Sequence, residues 1–246
     1  MTLLHGLGLT VLLLSVVASL DGYLRTVSPG WQARDIEPIG SWRTVRGAQV
    51  VLALACGGVV AAHVGAWEAV TVTALVWLAV LAVFTDLGSY RIPWDACWAA
   101  TVPAALAAIP GIWLTPSKTA ALLSAGTALF FLVAIPLGVS LLLGRALGMS
   151  DIRLLLVVVV ATGWWADPTL LIYGLMGASI PQLVARMLAP RLGWGRMVAA
   201  PSGASRREMP FAPAIVASMA LAIGVSVATE ATACQTWAPG TVCTET

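Results

Sequence analysis

Charge is what this sequence has least of. Only 10% of its 246 residues are Asp, Glu, Lys or Arg, against about 25% in a soluble domain. Hydrophobic residues make up 59%, and the mean hydropathy is +0.92. A chain so poor in charge cannot cover a water-facing surface, so lipid is the expected solvent for most of it. Long polar stretches are also missing. None exceeds about 25–30 residues, short of the usual lower domain size of about 50, which excludes a separate soluble domain. Cysteine is scarce: Cys56 and Cys97 lie in apolar runs, and Cys234 and Cys243 lie in the polar C-terminal stretch. No pair has CxxC spacing, and His5 and His63 are distant in sequence, so a metal site has no support. The first apolar run lacks a basic leader and a small-x-small cleavage site, so it reads as a retained span. Soluble-type strand patterns and internal repeats are absent from the pattern.

What is present is a series of apolar runs. A membrane-spanning helix needs about 20 apolar residues. Eight runs qualify as expected spans: 3–20, 48–66, 69–86, 95–114, 119–143, 151–165, 168–187 and 211–229. Pro103, Pro110 and Pro136 fall inside them, which is tolerable where neighbouring helices re-satisfy the freed carbonyls. The expected fold is all-α, a single polytopic membrane domain over 1–246.

The basic residues orient it. Arg25, Arg34, Arg43 and Arg46 fall in 21–47, Arg91 follows span three, and Arg145 and Arg153 follow span five. Arg186, Arg191, Arg196, Arg206 and Arg207 fall in 186–210. With eight spans these are alternate loops, and only Lys118 lies on the other side. Cytoplasmic loops carry the excess of Lys and Arg, so the expected topology has a cytosolic loop over about 21–47, both termini outside and an extracytoplasmic tail over 231–246. In an oxidising compartment a Cys234–Cys243 disulfide can persist; the alternative is two free thiols. Trp67, Trp94, Trp113, Trp164 and Trp165 sit at span ends and read as an interfacial belt.

Acids within or beside spans are costly and therefore functional candidates. Asp86 closes the run Leu75–Thr85, at a helix C-terminus where the dipole opposes an anion, and no capping role explains it. The bland alternative is an acid that reaches the cytosolic surface and pairs with Arg91. Asp151 opens span six in Gly148-Met149-Ser150-Asp151-Ile152-Arg153, where an N-cap role is the alternative. That span covers only roughly 20–23 Å, less than the hydrocarbon core of about 30 Å, so Asp151 either thins the bilayer or starts below its surface. Both acids share one expected side at similar depth, the arrangement of a carboxylate dyad. Asp95 reads as an N-cap, Glu68 and Asp167 as acids of outer turns, and Asp21, Asp35, Glu37 and Glu208 as loop residues.

These residues resemble the type IV prepilin peptidase family of membrane aspartic peptidases. Thr85-Asp86-Leu87-Gly88-Ser89-Tyr90-Arg91-Ile92-Pro93 is similar to its first catalytic segment, an Asp followed by a short basic turn and Ile-Pro. Gly148-Met149-Ser150-Asp151-Ile152-Arg153-Leu154 is similar to its Gly-x-Gly-Asp motif, with Ser150 in place of the second Gly and Arg153 in place of Lys. Met209-Pro210-Phe211-Ala212-Pro213 resembles the family's Pro-Phe-x-Pro start of the last span. Asp35–Trp42 with Arg46-Gly47 faintly resembles the cytosolic loop of bifunctional members, without their CxxC pairs. Trp94 stands where the family has Asn. The likeness covers roughly residues 30–215.

The resemblance implies a peptidase core over about 69–230, with Asp86 and Asp151 catalytic and Gly148, Met149, Ser150, Arg153, Ile92, Pro93, Pro210 and Phe211 shaping the site. It implies pilin-like precursors as substrates, with a short basic leader ahead of an apolar helix, cut at the cytosolic face of a prokaryotic plasma membrane. No cofactor is implied for peptide cleavage, and S-adenosylmethionine only if methylation is retained. The partners implied are such precursors and the bilayer, with no nucleic acid; oligomeric state is left open. The competing readings are a catalytically silent relative, motivated by Ser150, an ion- or proton-coupled transporter that uses the same acids, and a Gly-x-Gly-Asp peptidase of the presenilin type. Ile92-Pro93 and Pro210-Phe211 favour the prepilin branch.

Overall fold

A computed structural model describes residues 8, 11–12, 14–19, 22–23, 38–89, 92–142, 149–177, 196–199, 205–208 and 212–236. Their helices, in chain order, are α1 (Trp42–His63), α2 (Ala66–Ser89), α3 (Trp94–Leu114), α4 (Lys118–Leu129), α5 (Ile135–Leu142), α6 (Met149–Thr162), α7 (Pro168–Gly177) and α8 (Ala212–Thr236). Five stretches are long and apolar enough to cross a membrane: α1, α2, α3, Lys118–Leu142 and Ala212–Thr229. The protein is thus a helical, multi-pass membrane protein. In the first expected span, the described residues are helical, and Leu14 and Val17 join the core.

The helical architecture carries one short addition among the described residues. A two-stranded antiparallel hairpin, β1 (Arg196–Ala199) with β2 (Ser205–Glu208), precedes α8, pairing Arg196 with Glu208 and Ala199 with Ser205. Each strand is only four residues long, too short for alternation to stand out in sequence. Glu208 closes β2, within the connection that precedes α8.

The helix bounds differ from the apolar runs for local reasons. α1 begins six residues before the apolar run. The Ser41 hydroxyl accepts a hydrogen bond from the Thr44 backbone N–H, a standard way to satisfy an N-terminal donor. The helix thus starts in polar sequence and carries Arg43 and Arg46 on its first turns. Gly40, just before, has φ +87°, a backbone region that L side chains enter at a cost. Lys118–Leu142 is continuous but contains a π-helical segment, Phe130–Ala134, just before Pro136. Proline has no N–H and its ring crowds the carbonyl four residues earlier; one wider turn absorbs both faults. α6 is 14 residues long and ends at the Gly163–Trp165 turn. α8 continues to Thr236, so Cys234 lies on a helix and not in an irregular tail.

α2 is the central helix. In its most apolar window 83% of residues are buried, against 17% for Lys118–Leu142. It packs against α1, α3, α6 and α8. Around it, Leu75, Leu78, Leu81, Leu154, Val157 and Ile215 are fully buried. Large apolar side chains of α4 and α5, such as Leu123, Leu141 and Leu142, point outward, as expected where lipid replaces water. Between α1 and α2, the buried Gln49 donates from Nε2 to the Trp77 carbonyl at 2.9 Å, and the Arg46 guanidinium lies 5.5 Å from the Trp77 ring centroid.

Candidate functional site

Asp86 sits in the last turn of α2 and is 6% exposed. Its Oδ2 accepts a hydrogen bond from the Ala212 backbone N–H at 2.8 Å. Ala212 opens α8, and the next residue, Pro213, has no N–H to offer. The first turn of a helix carries unsatisfied donors and a partial positive charge. Asp86 therefore caps a helix that begins 126 residues later. This corrects the expectation that no capping role explains it. Within its own helix none does; the role belongs to a neighbour. The bond also ties α2, which carries the first acid motif, to the segment containing the third motif.

Asp151 is the third residue of α6 and half-buried. It lies inside the helix, not at the N-cap position. Two residues on, the Arg153 guanidinium stands 5.9 Å from the Trp94 ring centroid. Trp94 is the first residue of α3, and Ile92 and Pro93, both buried, lead into it from the end of α2. The starts of α6 and α3 thus meet at the end of the bundle where α2 finishes. α6 packs directly on α2, and α8 packs on both. Asp86 and Asp151 therefore share one end of three mutually packed helices. The Ile39 backbone N–H donates to the Phe84 carbonyl at 2.8 Å, which brings the stretch ahead of α1 to the same end.

One acid was undervalued by its sequence. Asp95 is not the N-cap of α3; that position is Pro93, which makes no side-chain capping bond. Asp95 is the second helical residue and 5% exposed. It lies two residues before the buried Cys97 on the same helix. A buried acid two residues into an apolar span is the signal that could have found it. This end of the bundle therefore gathers three acids, Asp86, Asp95 and Asp151, with Arg153 beside them.

Several expected site residues lie outside the described residues: Gly148, Pro210 and Phe211, together with the side chains of Met149 and Ser150; Arg91, the partner in the bland alternative for Asp86, does too. Cys243 and the Cys234 side chain do too, so the expected disulfide falls there. Cys56 and Cys97 are free thiols. Among the described residues no cluster of three or more His, Cys, Asp or Glu could hold a metal ion.

The interfacial reading of the tryptophans needs one correction. Trp113 is 67% exposed and fits it, with Lys118 Nζ 4.8 Å from its ring centroid. Trp164 is 3% exposed and packs with its six-membered ring on the space left by Gly111.

Comparison with protein families, curated proteins and solved structures finds no match for this chain. What it does has to be argued from its own residues.

Proposed function

We propose that the protein is a membrane aspartic endopeptidase of the type IV prepilin peptidase kind, with Asp86 and Asp151 as its carboxylate dyad. The observation that carries this reading is the placement of both acids at one end of the packed helices α2, α6 and α8, with the Ile92-Pro93 segment buried beside them. Topology enters the same proposal: eight crossings, the acid end cytosolic in a prokaryotic plasma membrane, and both termini outside.

The chemistry needs only these two groups and water. Two neighbouring carboxyls share one proton because both ionise only at high cost. The ionised member takes a proton from water as its oxygen adds to the scissile carbonyl carbon. The protonated member gives its proton to the carbonyl oxygen. On collapse, the C–N bond breaks and the leaving nitrogen takes a proton back from the pair. The two acids titrate as a coupled unit, so base and acid are not assigned individually. S-adenosylmethionine enters only if the segment before α1 supports methylation of the product.

A second reading has its own observation. Asp86 caps α8 through the Ala212 N–H, and a purely structural acid in a silent relative would do the same. Cleavage of a co-expressed pilin-like precursor by wild type, Asp86→Asn and Asp151→Asn separates them. Asn keeps a carbonyl oxygen that can accept the Ala212 N–H but cannot carry the proton. Loss of cleavage by a factor of about 10²–10⁴ or more in each variant, with normal insertion, supports the dyad. Cleavage at the wild-type rate by both variants refutes it.

A further inference from the structure

The stretch ahead of α1 is a short strap in which three consecutive residues carry three separate tasks. The Ile39 backbone N–H donates to the Phe84 carbonyl at 2.8 Å. Gly40 turns the chain at φ +87°. The Ser41 hydroxyl accepts from the Thr44 N–H at 3.2 Å and starts α1. The Ile39 side chain is exposed, so the main chain makes the attachment to Phe84. A Cβ on Gly40 would meet nothing within 4 Å. Space is free there, and the backbone angle alone favours glycine.

What the strap holds is the end of α2 that carries Asp86. Phe84 lies two residues before Asp86, and α2 ends three residues after it, at Ser89. The last turn of a helix leaves carbonyls without intrahelical donors, and helix ends fray. Two hydroxyls stiffen this end: Thr85 Oγ1 donates to the Leu81 carbonyl at 2.8 Å, and Ser89 Oγ to the Thr85 carbonyl at 3.0 Å. Both partners lie on α2, so these bonds stiffen the turn without placing it. Two further bonds place it against distant parts of the chain: the Ile39 N–H on the Phe84 carbonyl, and the Ala212 N–H on the Asp86 carboxylate. The first comes from the approach to α1 and the second from the start of α8. The Ile39 bond joins two backbone groups, so it can fix the turn without occupying the carboxylate.

We propose that Ile39, through its backbone N–H, is a positioning residue for the Asp86 carboxylate, with the left-handed turn at Gly40 aiming that N–H and Ser41 fixing the strap to α1. The inference rests on the peptidase reading. Loss of the Ile39 bond frees the end of α2 to shift relative to α6, which carries Asp151. A displacement of about 1 Å between reacting groups can cost about 100-fold in rate. The bond lies between two groups of the protein itself, so its loss should appear in kcat and leave KM unchanged.

The test uses the full chain in mild detergent with a purified pilin-like precursor, and reads kcat, KM and the SDS unfolding midpoint of each variant. Ile39→Pro removes the N–H and should lower kcat about 10–100-fold with KM unchanged. Ile39→Ala keeps the N–H and should cleave at the wild-type rate. Gly40→Val puts a β-branched residue at a positive φ and should repeat the loss, whereas Gly40→Asn, which tolerates that region, should restore most of the rate. Amide exchange at Ala212 reads the Asp86 bond without any cleavage, and should quicken in Ile39→Pro and Gly40→Val alone. If Ile39→Pro does not fold, the two Gly40 variants make the same comparison. Wild-type kcat in both Ile39→Pro and Gly40→Val, an equal loss in Ile39→Ala, or unchanged Ala212 exchange overturns the proposal. So does a lowered unfolding midpoint with kcat per folded molecule unchanged. Failure of the peptidase reading shows separately: wild type leaves the precursor uncut, or Asp86→Asn cuts it as fast, whatever the exchange at Ala212.

Discussion

The Asp86–Ala212 bond makes a prediction that separates the structural from the chemical role of one carboxylate. Asp86 Oδ2 is the acceptor for the first N–H of α8 at 2.8 Å. Asp86→Asn retains an acceptor oxygen and loses the charge. Asp86→Ala loses both and leaves a buried N–H unpaired. Both substitutions remove the same buried charge, so its desolvation cancels when they are compared with each other. What remains is the orphaned donor, worth about 1–3 kcal/mol. The charge–dipole contribution, about 0.3–1 kcal/mol, is lost in both. Asp86→Ala should therefore unfold more easily than Asp86→Asn by about 1–3 kcal/mol in an SDS titration from mild detergent. Amide hydrogen exchange at Ala212 should accelerate in the Ala variant alone. Cleavage should be absent in both. If the two variants unfold at the same midpoint and Ala212 exchanges equally in both, Asp86 does not cap α8 and the argument from that bond fails.

Other substitutions test the packing that positions the two ends. Gly111→Ala drives a methyl into the Trp164 ring and should destabilise by about 1–3 kcal/mol; pairing it with Trp164→Leu should recover part of the loss, as a double-mutant unfolding cycle would read. Ser41→Ala removes the hydroxyl that accepts from Thr44 N–H and should cost about 1 kcal/mol, seen as faster hydrogen exchange in the first turn of α1. Gly40→Ala forces an L side chain into φ +87° and should cost about 1–2 kcal/mol in the same unfolding titration.

Much of this protein is legible from its sequence because lipid imposes a one-dimensional rule. A spanning backbone must be helical or closed into a barrel, so the scarcity of charge and the lengths of the apolar runs already place α2 to α5 within about three residues, while α1 starts six residues early and α8 ends seven residues late. The deviations come from chemistry that hydropathy does not register: the Ser41 cap that starts α1 in polar sequence, and Pro136, whose missing N–H is absorbed by a π turn. Asp86 and Asp151 could be singled out as acids at span ends, because such groups are rare in apolar sequence. Which groups meet them could not be read. The donor for Asp86 is a backbone amide 126 residues away, and backbone amides carry no sequence signal. Asp95 is plain in the sequence, but its burial depends on how α3 packs against its neighbours. Hydropathy and charge, which are local sums, determined that the chain crosses a membrane and where its acids fall. Tertiary packing decided which helix ends converge, because each convergence is set by side-chain volumes such as the missing Cβ of Gly111 and by hydrogen bonds between residues distant in sequence.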